Sequence, residues 1–170
     1  MRVPSFCACS EGRGAQLSTI LNSHRQDLLK AWIAAILWLI VISIESTTYL
    51  SGQNTSHILY PIFHFLFGID PAHFEPWHHI LRKTGHVIGY ALLSFFLFRA
   101  WRETLPSQPR KWTFRWAILA VLGTLLVASL DEWHQTFLPS RTGRWQDVVL
   151  DTSAGIAAQF LLFLVFRKSE

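Results

Sequence analysis

Residues 28–44 read LLKAWIAAILWLIVISI, and Glu45 follows. Only Lys30 and Ser43 interrupt this apolar run. At a rise of about 1.5 Å per residue, a helix of about 17–20 residues just crosses a hydrocarbon core about 30 Å thick. The run carries no alternation of a half-buried strand and no one-sided stripe of a soluble helix, so the lipid bilayer is its natural solvent. It lacks a small-residue cleavage pattern at its end, and a retained helix is expected.

Three more segments follow the same logic: 86–101, with a start nearer Pro76 because proline suits a helix's first turn, then 116–130 and 148–166. The expected fold is therefore an all-α integral membrane protein with four transmembrane helices. Of 170 residues, 51% are hydrophobic and 15% are charged, below the quarter or so typical of a soluble domain. Residues 28–170 form one membrane domain, and residues 1–27 a flexible cytoplasmic tail of small, polar and basic residues without clear period. Cys7 and Cys9 are too close in sequence for a structural disulfide and lack the further ligands of a zinc site.

Lysine and arginine set the orientation. The N-terminal tail with Lys30 just beyond it, the link between the second and third spans with Arg99 just before it, and the C-terminus hold 11 of the 15 basic residues. Arg82, Lys83, Arg141 and Arg144 lie on the other side. The basic-rich side is expected to be cytoplasmic, with both termini inside. The pI of about 9.4 thus reflects topology, and no nucleic-acid partner is expected. Segment 58–67 in the first outer loop is too short to span and contains Pro61. It is expected to be an interfacial or re-entrant piece, or a loop packed on the bundle.

Ionisable residues gather at the outer ends of the spans: Glu45, Lys83, His86, Asp131, Glu132, Arg141, Asp147 and Asp151. Such groups are costly in a bilayer and normally face the bundle interior in pairs. On a helix, His79, Lys83, His86 and Tyr90 share one narrow face, at i, i+4, i+7 and i+11. Asp131 and Gln135 form a second polar face with Thr124, and Asp147 and Asp151 a third, continued by Ala154 and Ala158. Gly85 and Gly89 form a small-xxx-small pair that suggests close helix approach. Tryptophans such as Trp77, Trp101, Trp116 and Trp133 suit boundary belts.

The segment Lys83-Thr-Gly-His86-Val-Ile-Gly-Tyr90 resembles the K-x-x-H-x-x-x-Y signature of VanZ-like proteins. Residues 131–141, DEWHQTFLPSR, resemble their D-E-x-x-Q-x-F-x-x-x-R segment, and Asp147 and Asp151 look like the pair that opens the last helix. The resemblance covers residues 30–166. Asp151 stands where asparagine is common, and Ala154 where glycine is expected, with Gly155 one place late. Membership would imply a bacterial cell-envelope protein linked to glycopeptide (teicoplanin) tolerance, in the cytoplasmic membrane. It does not imply a reaction.

Two function classes remain open. In the first, the polar level binds, and as an enzyme would modify, a lipid-anchored anionic substrate at the outer leaflet, with a polyprenyl or phospholipid headgroup as partner. Lys83, Tyr90, Gln135, Arg141, Asp147 and Asp151 would bind it. His86, Asp131 and Glu132 would orient a donor or move a proton. In the second, the protein is a non-enzymatic scaffold and the same residues form a salt-bridge clasp. Cations within the set disfavour a metal and suit a phosphate, and no cofactor is expected. Proton or ion transport is disfavoured because the inner helix halves carry little polarity beyond Gln159. The oligomeric state is not fixed.

Overall fold

The structure is a computed structural model that describes residues 8–47, 52–105, 112–139 and 143–168. It is helical: α1 (Ala8–Glu45), α2 (Gly52–Phe67), α3 (Pro71–Thr104), α4 (Phe114–Gln135) and α5 (Trp145–Lys168). There is no strand among the described residues. Three segments are long and apolar enough to cross a membrane by length and composition: Ser18–Glu45, Phe114–Gln135 and Trp145–Arg167. The third of the five helices is not one of them. It packs against all four others, whereas α4 and α5 also pack on each other. A helix walled in by protein needs less apolar surface, so His86 and Ser94 can sit along it at lower cost.

Several boundaries differ from expectation. The helix of the first span already runs from Ala8, so residues 8–27 are helical rather than an irregular tail. No proline lies between Ala8 and Glu45, and a nucleated helix propagates until something breaks it. The second expected span starts at Pro71, not Pro76. Asp70 is its N-cap, with Pro71 in the first turn and Pro76 inside the helix. Its 34 residues reach about 50 Å, well beyond the hydrocarbon core. Residues 52–67 form a helix that folds back on the N-terminal part of α3. The turn between them uses Gly68 at φ 63°, a left-handed conformation that ends helices at little cost only for glycine, and its N–H bonds the His64 carbonyl at 2.9 Å. Phe74 packs edge-on against Tyr60 and Phe63.

The interior mixes small apolar and polar side chains, while the exterior is apolar. Leu93, Ala120 and Ala128 are buried, while Leu37, Leu122, Leu126, Phe160 and Val165 are exposed. Such a contiguous apolar exterior suits lipid rather than water. In the middle of the bundle, Ser94 donates to the Gly155 carbonyl (3.1 Å), and the Gln159 amide donates to the Ser94 hydroxyl (2.8 Å) and carbonyl (3.0 Å). Gln159 therefore ties α5 to α3. Trp116 is a core residue rather than part of a boundary belt. Its indole N–H reaches the Leu105 carbonyl at 2.8 Å and its ring meets Phe98 edge-on. Trp77 and Trp133 are well exposed.

The close helix approach lies at Gly155, not at Gly85 and Gly89. A Cβ at either of those two would meet nothing within 4 Å, whereas at Gly155 it would stand 3.0 Å from Thr124 Cγ2 and 3.4 Å from Ser94 Cβ. Gly89 instead offers its carbonyl to the Trp38 indole at 2.8 Å. Gly89→Ala is thus expected to be neutral or to stabilise by up to about 1 kcal/mol through helix propensity. Gly155→Ala should cost about 1–3 kcal/mol through overpacking. Unfolding in mixed detergent micelles compares the two, and an equal response would remove the assignment of Gly155 as the contact point.

Candidate functional site

Where the N-terminal part of α3 meets the C-terminal end of α4 and the head of α5, their polar faces enclose a cavity of about 240 Å³. The central helix contributes His79, Arg82, Lys83 and His86. These lie at i, i+3, i+4 and i+7, one face of a helix. Glu132 and Gln135 come from the last turn of α4. Arg144, Asp147, Leu150 and Asp151 come from the head of α5 and the residue before it. Three formal cations thus face three carboxylates, with two imidazoles between them.

The walls are joined helix to helix. Lys83 Nζ lies 3.5 Å from Asp147 Oδ1; both side chains are partly exposed, so this pair contributes little. Asp147 also sits in the first turn of α5, where the helix dipole favours a carboxylate. His86 Nδ1 lies 3.6 Å from Asp151 Oδ2, whose side chain is almost wholly buried. Neither Asp151 oxygen has a hydrogen-bond partner among the described residues. This places a carboxylate behind one imidazole nitrogen, at ion-pair rather than hydrogen-bond distance. The third join runs from Glu132 Oε2, which accepts the Arg144 backbone N–H at 2.7 Å and so satisfies a donor at the start of α5.

Beneath the cavity, Asp131 Oδ2 accepts from the Tyr90 hydroxyl at 3.0 Å and from the Gln135 amide at 3.1 Å. All three side chains are buried. The structure therefore brings His86, Glu132, Lys83, Gln135, Asp147 and Asp151 to the cavity wall and sets Asp131 and Tyr90 one layer below it. Arg141 lies outside the described residues. Arg82 and Arg144 complete the wall without having been singled out in the sequence. For Arg82 the signal was present, since it falls three residues after His79 and four before His86. For Arg144 the signal was its place three residues before Asp147 at a helix start. Among the described residues, no group of three His, Cys, Asp or Glu side chains is placed to hold a metal ion.

Glu132→Ala should orphan the Arg144 N–H at the head of α5. A hydrogen bond to a charged acceptor contributes about 1.5–3 kcal/mol, and that loss is the expected destabilisation in micelle unfolding. Glu132→Gln, which keeps an acceptor oxygen, should recover part of it. Equal losses in both variants would show that Glu132 acts otherwise than as this cap.

No curated protein and no solved structure matches the chain. The family model described as VanZ/LLP1 matches residues 31–167, a stretch that includes α2 to α4, most of α5 and every wall residue of the cavity. The chain belongs to the VanZ/LLP1 family.

Proposed function

We propose that this chain is a multi-pass protein of the bacterial cytoplasmic membrane that crosses it four times, with α3 as the fourth span and both termini cytoplasmic. Its outer cavity binds the anionic headgroup of a lipid-anchored substrate. The observation that carries this is a mixed-charge hollow built by three helices at the end where Arg82, Lys83 and Arg144 converge. Guanidinium groups recognise phosphate and carboxylate oxygens with paired, charge-assisted hydrogen bonds. His86, backed by Asp151, is the group suited to carry a proton to or from the bound head. Asp131 serves as a positioning residue from below. Teicoplanin tolerance would follow from altered handling of such a lipid in the envelope.

The test is retention of co-purifying anionic lipid, read by native mass spectrometry beside thermal stability. Arg82→Gln with Arg144→Gln should lower retention about tenfold or more, since each charge-assisted hydrogen bond contributes about 1.5–3 kcal/mol. Unchanged retention in a folded variant would defeat the proposal. A reporter active only outside should work within residues 52–54 and stay silent after Glu170. The opposite pattern would defeat the topology.

A second reading is favoured by the joins themselves. Lys83–Asp147 and His86–Asp151 link α3 to α5, Tyr90–Asp131 links α3 to α4, and Glu132 links α4 to α5. As a clasp in a non-enzymatic scaffold, the Lys83–Asp147 pair should be replaceable by Met and Leu with lipid retention and phenotype intact.

A further inference from the structure

We propose that the hydrocarbon chain of the bound amphiphile leaves the charged cavity through the gap between α2 and α3, along Leu59, Leu81 and Trp77. This rests on the headgroup proposal and adds where the tail goes.

On its α2 side the charged cavity is bounded by Arg82 and His86. Arg82 and His86 also form the wall of a second hollow of about 220 Å³, which lies between the end of α1, α2 and α3. Its other walls include Glu45, Thr55, Leu59, Leu81 and Gly85. A third hollow of about 90 Å³ continues from it, sharing Leu59, His78 and Leu81 and adding Phe63, Phe74 and Trp77. Polarity falls along this track, from cations and carboxylates at one end to aromatic and aliphatic side chains at the other. An amphiphile has the same gradient.

The far end of the track opens where lipid would be. Trp77 and Leu81 are half or more exposed, as are Ile58, Ile62, Phe65 and Leu66 on the outer stripe of α2. Those four recur at i, i+4, i+7 and i+8, the apolar face of an interfacial helix. The start of α2 is pinned to α3, with Thr55 Oγ1 3.0 Å from the buried His78 Nε2. Gly85 borders open space, since a Cβ there would meet nothing within 4 Å. A larger apolar hollow of about 670 Å³ between α4 and α5 cannot serve the same ligand. It shares no wall residue with the charged cavity and lies at the other end of these helices, around Trp112, Phe114 and Phe163.

The test uses the full chain in phosphatidylcholine nanodiscs, with methyl phosphate as a headgroup alone and farnesyl phosphate as head plus tail. Wild-type protein should bind farnesyl phosphate at least tenfold more tightly. Leu59→Trp and Leu81→Trp, which fill the passage, should remove most of that difference and leave methyl phosphate binding unchanged; tenfold corresponds to about two buried methylene groups. A farnesyl phosphate with a diazirine in its last isoprene unit should label residues 59–63 and 77–81 of the wild-type chain, a readout that needs no substitution. Equal binding of the two probes would overturn the tail path and leave the headgroup site standing. Labelling confined to the α4–α5 face, at Leu126 or Phe160, would do the same. Binding of neither probe would overturn both proposals.

Discussion

Gly143→Ala is expected to destabilise the bundle by about 2.5–6 kcal/mol, the largest loss from adding a single methyl group. A Cβ at 143 would overlap the Glu132 carbonyl oxygen and stand 2.6 Å from Thr136 Cγ2. The first obstacle is backbone at the end of α4, which cannot turn aside as a side chain can. Overpacking of this kind costs about 1–3 kcal/mol. The displaced chain would also draw the Arg144 N–H away from Glu132, worth a further 1.5–3 kcal/mol or so. Both losses fall on the tight return from α4 to α5. Unfolding in mixed micelles measures the sum, and Glu132→Ala in the Gly143→Ala background should add little more. Full additivity of the two would show that the methyl group acts elsewhere.

Asp131→Leu is expected to cost about 2–6 kcal/mol. The leucine leaves two buried donors, the Tyr90 hydroxyl and the Gln135 amide, without their acceptor, at about 1–3 kcal/mol each. The same physics predicts rescue. Tyr90→Phe with Gln135→Leu in the Asp131→Leu background removes the orphans and should restore most of the stability, because an apolar trio of similar volume carries no unmet hydrogen bond. Tyr90→Phe alone should be mild, since it removes a donor and leaves Asp131 bonded to Gln135. A triple variant as unstable as Asp131→Leu would show that the carboxylate stabilises the bundle by some route other than these two bonds.

The apolar runs were legible because a bilayer imposes one length on every span. The polar cavity was legible for the same reason that makes it costly: charges at one level on several helices must face one another. What the sequence did not disclose depends on partners in space. Composition alone leaves α3 less apolar than the three helices able to cross a membrane, and only its four neighbours explain why it tolerates His86 and Ser94. Gly89 and Gly155 look alike in a pattern of small residues, but only Gly155 faces a close neighbour across the interface. Pro71 and Pro76 both suit a helix start, and the turn at Gly68 decides between them. Asp131 and Glu132 are adjacent in sequence, yet a 100° turn sends one to the buried triad and the other to the α5 cap.

The central place of α3 has a consequence for how the protein is made. With α3 as the fourth span, as proposed, it leaves the ribosome before the two helices that shield its polar face. The segments Ser18–Glu45, Phe114–Gln135 and Trp145–Arg167 can each enter lipid on their own composition. The outer half of α3, with Arg82, Lys83 and His86, would be penalised if it entered lipid alone. Its integration therefore waits on α4 and α5, and a nascent chain halted before Trp145 should hold α3 at the insertion machinery rather than release it into the bilayer. Damage to the α4–α5 return would then be felt first as a failure of biogenesis, in a helix that precedes it in the chain.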